Sequence, residues 1–235
     1  MFTSTETLSY DSIDLSKFNG VLIGVHGAAE AGKDTVAAML RSVIGTLYID
    51  SFARPLREAY VALFGQALGF KVDDLYSPDF KRQVNLLTNR THREELQLLG
   101  TEHYRDGTGN RQIWVQNLYL RNVNCIDFVI IPDVRFENEA DFISQHGLIL
   151  EVQRPGKDPI PQSGHSSEAG LPRAYINHTI VNDGTLKQLR GKVFDSVERT
   201  LCLNKDIGIR DLHDALESPA TFDLYKDQLL AYLQQ

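Results

Sequence analysis

The chain has 235 residues, and 42% of them are hydrophobic, which suits one α/β domain with additions or at most two small domains. Its formal net charge of −7 argues against a nucleic-acid-binding surface. No stretch reaches the length of a membrane span, and the polar residues 1–14 do not resemble a signal peptide. The two cysteines, Cys125 and Cys202, lack metal-ligand spacing, so we expect reduced thiols in a cytoplasmic protein.

Short apolar runs alternate with amphipathic runs along the chain. The apolar runs predict five strands, at 21–26, 46–50, 126–131, 147–153 and 176–181. The amphipathic runs predict helices, at 33–44, 53–66, 79–89, 91–100, 110–122, 137–145 and 185–201. This alternation indicates an α/β fold with a mostly parallel five-stranded sheet flanked by helices. Ligands then bind beyond the carboxyl ends of the strands.

A glycine-framed run follows the first predicted strand and leads into the first helix: Gly27-Ala28-Ala29-Glu30-Ala31-Gly32-Lys33-Asp34-Thr35. This layout is typical of a phosphate-binding P-loop, in which backbone N–H groups and a helix N-terminus converge on an anion. Gly27 and Gly32 permit the curl of the loop, and Lys33 supplies a full positive charge for the outer phosphates. The alternative is a tight turn before an ordinary helix.

The residue after Lys33 is Asp34, where a P-loop usually has Ser or Thr, and Thr35 comes one position later. A carboxylate beside a triphosphate would be repelled unless a cation lay between them. We therefore interpret Asp34 and Thr35 as the Mg²⁺ site, with Thr35 also contacting an inner phosphate. Asp34 can also favour the first turn of the helix, and the two roles are compatible.

Residues 51–125 separate the second and third predicted strands, which is far more than a plain crossover needs. We expect this insertion to form a helical lobe that holds a second substrate. Within it, Arg93, Gln97, Gly100 and Thr101 lie on one face of a helix and at its end. A guanidinium and an amide there can bind a phosphate and a base or sugar. The alternative is a solvated helix that ends at a glycine.

The single tryptophan, Trp114, opens an apolar stretch of the same insertion. An indole can pack on a nucleobase while its N–H finds a polar partner, so Trp114 is a candidate for the acceptor pocket. Because tryptophan is usually well buried, a place in the core of the lobe is the alternative.

Two further charged groups follow predicted strands. Asp133 and Arg135 come two positions apart after the third strand, so both can project the same way. Asp133 can hold the Mg²⁺ shell or a substrate hydroxyl, and Arg135 can stabilise charge on a moving phosphoryl group. The alternative is an Asp–Arg pair that caps the helix beginning near Glu137. Arg154 leads into a loop rich in glycine and proline, residues 154–172, which we interpret as a lid over phosphates.

In their order along the chain, six motifs together resemble those of the phage-type deoxynucleoside monophosphate kinases, over about residues 20–200. They are GKDT at 32–35, SFARPL at 51–56, LQLLGTEHYR at 96–105 with Trp114, DVRFENEA at 133–140, HSSE at 165–168 and NDGTL at 182–186. The resemblance implies a P-loop NTPase fold with a nucleotide-binding helical insertion and a lid loop. It also implies phosphoryl transfer from ATP-Mg²⁺ to deoxynucleoside 5′-monophosphates for DNA synthesis, in the host cytoplasm if a phage encodes the chain.

The resemblance also assigns roles to individual residues. Those matching its ATP and Mg²⁺ loop, with the lid, are Gly27, Ala31, Gly32, Lys33, Asp34, Thr35 and Arg154. Those matching its deoxynucleotide-binding segment are Arg93, Gln97, Gly100, Thr101 and Trp114. Asp133, Arg135 and Glu139 match its catalytic strand end and the helix that follows, and Glu139 is taken as a substrate contact. The family commonly has Ser in place of Ala31 and a basic residue in place of Glu94.

Several alternatives stay open at this level. The chain could be a P-loop kinase of dephospho-coenzyme A or phosphomevalonate, a nucleotide-gated switch or motor, or a catalytically dead nucleotide-binding module. The expected partners are ATP and deoxynucleoside monophosphates, with no nucleic acid or membrane, and a homodimer is compatible with the sequence. We expect residues 1–203 to form the kinase domain after a loose leader, and residues 204–235 to form a helical extension.

Overall fold

A computed structural model of the chain describes residues 12–44, 48–124, 128–156 and 170–201. Most of the predicted lid loop, both cysteines and the predicted extension 204–235 lie outside the described residues. The chain divides into two compact units. The sheet unit contains Asn19–Phe52 and the described residues from Asn124 onward. The helical unit contains Ala53–Val123 and the described residues before Asn19.

The sheet unit is built on five strands, each hydrogen-bonded in parallel to its neighbours. The strands are β1 (Val21–His26), β2 (Tyr48–Ile49), β5 (Phe128–Ile131), β6 (Gly147–Gln153) and β7 (His178–Val181), and their order is β2-β5-β1-β6-β7. The helices of this unit are α1 (Lys33–Ile44), α6 (Glu137–His146) and α7 (Leu186–Leu201). The predicted α/β fold with a parallel five-stranded sheet is confirmed.

The core of the sheet unit explains the apolar strand sequences. β1 and β5 are buried along almost their whole length because helices cover both faces of the sheet, as parallel sheets require. Alternate residues of β1, such as Ile23 and Val25, join one buried cluster with Val36 of α1 and Val193 of α7. Because all five strands are parallel, their carboxyl ends lie at the same edge of the sheet, and the P-loop begins at that edge.

The helical unit has its own core and its own short elements. Its α-helices are α2 (Arg54–Tyr60), α3 (Pro78–Arg82), α4 (His92–Gln97) and α5 (Ile113–Asn122). Two of them continue as π-helix: α2 through Val61–Gly65, followed by a last α-helical turn at Gln66–Leu68, and α4 through Leu98–Asp106. Tyr60, Phe70 and Leu75 are buried together. The ring of Phe80 stacks on His92 at a centroid distance of 4.6 Å.

The predicted helix over 79–89 is wrong beyond Arg82. In its place the chain forms an antiparallel hairpin of β3 (Val84–Asn85) and β4 (Arg90–Thr91). Asn85 causes the change, because its side-chain oxygen accepts the N–H of Leu87 and its backbone carbonyl accepts the N–H of Asn89, which has a φ of 57°. Asparagine side chains compete with helical hydrogen bonds in this way. The buried Asn85 amide also donates to the Tyr60 hydroxyl at 2.8 Å, a contact that local patterning does not reveal.

Among the described residues, none of the helices combines the length and the apolar character that a membrane span requires.

Candidate active site

The P-loop lies between β1 and α1, and its backbone requires glycine at two positions. Gly27 has a φ of 149° and Gly32 a φ of 104°, conformations that other residues rarely adopt. A Cβ atom at Gly27 would lie 2.3 Å from the carbonyl oxygen of Val152 in β6. The loop therefore packs directly on the neighbouring strand, and α1 begins at Lys33, immediately after the loop.

Lys33 reaches back across the loop. Its Nζ donates to the carbonyl oxygens of Gly27 and Ala28, both at 2.7 Å. These contacts hold the ammonium beside the backbone N–H groups of the loop, which is where an anion would be bound. Asp34 and Thr35 follow in the first turn of α1, and both are exposed.

Arg154 approaches the same loop from the end of β6. Its Nη1 lies 3.4 Å from the carbonyl oxygen of Glu30 at the loop tip. The guanidinium is exposed, as a residue that meets a bound phosphate needs to be. The described structure thus brings Arg154 and the P-loop together, as the sequence predicts, while the role of the lid stays a prediction.

Two buried carboxylates lie at the carboxyl ends of the adjacent strands β2 and β5. Asp133 is 9% exposed, and its Oδ1 accepts the N–H of Phe52 at 3.0 Å, which ties the two strand ends together. Asp50 is 3% exposed, and its Oδ1 accepts the N–H of Ser51 at 2.8 Å. Asp50 was not among the predicted site residues, although an aspartate as the last residue of a predicted strand was an available signal.

Glu139 stabilises the turn that carries Arg135. Its Oε2 accepts the N–H of Arg135 at 2.7 Å and the N–H of Phe136 at 3.0 Å, so Glu139 caps the start of α6. Burial raises the pKa of Glu139 to about 7, while the Arg135 N–H opposes the rise and the charge of Asp133 adds to it. The Arg135 side chain itself is exposed. Glu139 thus holds the Arg135 backbone, and its predicted contact with substrate stays a prediction.

His26 anchors the same turn to the end of β1. Its Nδ1 lies 2.9 Å from the carbonyl oxygen of Val134, so the neutral ring donates from Nδ1. Burial lowers the pKa of His26, and the nearby Lys33 and Arg135 charges lower it further. The turn that carries Arg135 is therefore fixed from two sides, by His26 and by Glu139.

The predicted acceptor segment lies in the helical unit. Arg93 and Gln97 are half-buried one turn apart on α4, and Thr101 follows in the π-helical segment. Gly100 is buried, and a Cβ atom there would lie 2.8 Å from Leu56 Cδ2 of α2, so this glycine serves close packing. Its carbonyl oxygen accepts the indole N–H of Trp114 at 2.9 Å.

Glu94 has a structural role at the start of α4. Its Oε2 accepts the N–H of Thr91 at 2.7 Å, and the Thr91 hydroxyl accepts the N–H of Glu94 at 3.2 Å. This reciprocal pair caps the start of α4, and the Thr91 hydrogen bonds lower the pKa of Glu94. The carboxylate thereby stabilises the helix that carries Arg93 and Gln97.

The donor set beside the P-loop is of the kind that Mg²⁺ prefers. Within the described ranges, no group of three or more His, Cys, Asp or Glu side chains is placed to hold a metal ion by itself. Mg²⁺ that accompanies a nucleotide needs only one or two protein oxygens, because phosphates and water complete its shell. The exposed carboxylate of Asp34 and hydroxyl of Thr35, beside Lys33, fit that requirement.

The parallel sheet, the glycine-framed loop with Lys33 and the strand-end pair Asp133 and Arg135 define a P-loop phosphotransferase. The model of the deoxynucleotide monophosphate kinase family matches residues 80–193. By this match and those described next, the chain is similar to the phage-type deoxynucleotide monophosphate kinases.

Two relatives show the same similarity. A protein of Acanthamoeba polyphaga mimivirus, provisionally named a deoxynucleotide monophosphate kinase, is 29% identical over 78% of this chain and 100% of its own length. The deoxynucleoside-5′-monophosphate kinase of Escherichia phage T5 is 27% identical over 69% of this chain and 89% of its own length. A solved shikimate kinase from Acinetobacter baumannii covers 82% of this chain and 98% of that chain at 11% identity, with a TM-score of 0.43, and we draw no conclusion from it.

Proposed function

We propose that this protein transfers the terminal phosphoryl group of ATP to a deoxynucleoside 5′-monophosphate and so forms the diphosphate used for DNA synthesis. The observation that supports it most strongly is the P-loop, with Lys33 held over Gly27 and Ala28 at the start of α1. The match of the deoxynucleotide monophosphate kinase family model supports the choice of acceptor.

The donor side of the reaction is assigned to the sheet unit. The N–H groups of the loop and the Lys33 ammonium bind the phosphates of ATP, and Arg154 adds charge at the loop tip. Mg²⁺, held through Asp34 and Thr35, would neutralise phosphate charge when bound. Arg135 stabilises the charge that develops on the transferred group, and its placement depends on Glu139 and His26.

The acceptor side is assigned to the helical unit. Arg93 is proposed to bind the 5′-phosphate, Gln97 and Thr101 the base or sugar, and Trp114 a face of the base. The acceptor phosphate is already ionised at neutral pH, so its attack requires no general base. Positioning and charge stabilisation then supply most of the catalysis.

The proposed function is tested by coupled ADP release with ATP against each deoxynucleoside and ribonucleoside monophosphate in turn. At least one deoxynucleoside monophosphate should give saturable ADP release that requires Mg²⁺ and far exceeds the rate without acceptor. Dephospho-coenzyme A and phosphomevalonate are assayed separately in the same way as alternative acceptors. A higher kcat/KM with either of these, or no acceptor-dependent release at all, would overturn the proposal.

Trp114 offers a direct test of the acceptor assignment because it is the only tryptophan. It is half-buried, its ring meets the edge of Tyr104 at a centroid distance of 5.8 Å, and its N–H is bound to Gly100. A deoxynucleoside monophosphate added without ATP should change the emission saturably. Trp114→Phe should raise KM for the acceptor, because a phenyl ring offers a smaller area than an indole for stacking on the base. KM for ATP should stay unchanged.

Inorganic phosphate at the same concentration is the control for the fluorescence titration and should leave the emission unchanged. If only ATP moves the emission, or if Trp114→Phe lowers Tm without changing the acceptor KM, the tryptophan is a core residue of the helical unit. The acceptor pocket would then have to be sought elsewhere in residues 51–113.

A further inference from the structure

The segment that follows β7 contacts the P-loop from a distant part of the sequence. Asn182, the first residue of the NDGTL motif, donates from Nδ2 to the carbonyl oxygen of Ala31 at 2.8 Å, across 151 positions of sequence. A Cβ atom at Gly32 would lie 2.7 Å from the same Nδ2. The Asn182 amide therefore both bonds to the loop and occupies the space that a side chain at position 32 would need.

This contact fixes the orientation of one peptide group in the loop. The described residues contain no cis peptide bond, and in a trans peptide the C=O and N–H point in opposite directions. Because Asn182 binds the Ala31 carbonyl, the N–H of Gly32 points away from Asn182. A flip of this peptide would present a carbonyl oxygen where the donor now points, and an oxygen there would repel a phosphate.

Asn182 is itself held from both sides. Its backbone N–H donates to the carbonyl oxygen of Gln153 at the end of β6, at 2.7 Å. Lys192 of α7 donates to the carbonyl oxygen of Val181, the residue before Asn182, at 2.8 Å. The backbone at Asn182 is therefore held in place, as it must be if the Asn182 side chain is to orient the carbonyl group of Ala31.

We infer that Asn182 is a positioning residue for ATP binding, because it holds the peptide between Ala31 and Gly32 with the Gly32 N–H available to a phosphate. The inference rests on the proposed function in one respect only, in that the P-loop is taken as the site for ATP. Asn182 touches the loop and needs no contact with the nucleotide, so its effect should appear in ATP binding and leave the acceptor unaffected.

The test compares three variants of the full-length chain by calorimetric titration with the non-hydrolysable analogue AMP-PNP and Mg²⁺. Asn182→Leu keeps the branched shape of the side chain and removes the donor, and Asn182→Ala removes both. Each should raise Kd for the analogue roughly three- to tenfold, the range expected for one hydrogen bond. The matched control is Asp183→Ala, which loses the ion pair with Lys192 but keeps the Asn182 side chain and its hydrogen bond to the loop, and its Kd should equal that of wild type.

Steady-state kinetics add the second measurement. KM for ATP should rise in both Asn182 variants while KM for the acceptor stays at the wild-type value. Wild-type binding of AMP-PNP by a folded Asn182 variant would overturn the inference, and so would equal weakening by Asp183→Ala, because the segment as a whole would then be responsible. If either Asn182 variant fails to fold, the other decides.

Failure of the proposed function would look different. In that case the wild-type protein would phosphorylate none of the nucleoside monophosphates, whereas the comparison of AMP-PNP binding between wild type and the Asn182 variants would still support or overturn the positioning role.

Discussion

Replacing Lys33 with alanine should lower kcat for phosphoryl transfer by at least about a thousandfold, as expected for loss of a full charge at the transferred phosphate. The fold should persist. The lysine gives up two hydrogen bonds, to Gly27 and Ala28, in a partly buried loop, which costs about 1–2 kcal/mol of unfolding free energy. For a chain of this size that corresponds to a Tm lower by only a few degrees. Coupled ADP release and thermal unfolding measure the two quantities.

A lysine outside the site provides the matched control. Lys187 is exposed on α7 of the same unit, and Lys187→Ala should keep both wild-type turnover and Tm. If Lys33→Ala retains near wild-type turnover, the loop does not bind the reacting phosphates. A large drop in Tm for Lys33→Ala would instead show that its contacts with the loop carbonyls are chiefly structural.

Arg135→Lys should lower kcat about a hundred- to a thousandfold, equivalent to roughly 3–4 kcal/mol, with little change in either KM. The backbone of this residue is held by Glu139 through its N–H, so a lysine there keeps its starting position. What changes is the head group, because an ammonium cannot reproduce the planar fork of a guanidinium on a phosphoryl group. Contacts that strengthen only in the transition state appear in kcat, which steady-state kinetics with both substrates varied will separate from KM.

Arg173 supplies the control for this substitution. Its guanidinium is exposed, bonds to Thr179 at 2.9 Å and lies 3.6 Å from Glu151, and neither partner is a predicted site residue. Arg173→Lys should therefore leave kcat within about twofold of wild type. An Arg135→Lys effect confined to KM would assign Arg135 to ground-state binding of a substrate instead.

Local sequence determined much of this protein. The P-loop was predictable because Gly27, Gly32 and Lys33 act within one short segment, where spacing alone brings them together. The parallel sheet was predictable because strands buried on both faces must be apolar throughout, as β1 and β5 are. The places of Asp133 and Arg135 followed from the rule that strand ends gather at one edge of such a sheet.

Contacts between segments far apart in the chain could not be predicted from the sequence. In the hairpin that replaces part of a predicted helix, Asn85 donates to the Tyr60 hydroxyl, which lies 25 positions earlier. Asp133 accepts the N–H of Phe52, which lies 81 positions earlier. Asn182 is the clearest case, because its partner Ala31 lies 151 positions away. A polar residue after a strand has many partners available in principle, and its hydrogen bonds are selected only when the packed sheet brings one of them within reach. The sequence by itself determined the class of site, and the tertiary structure decided which residues hold that site in shape.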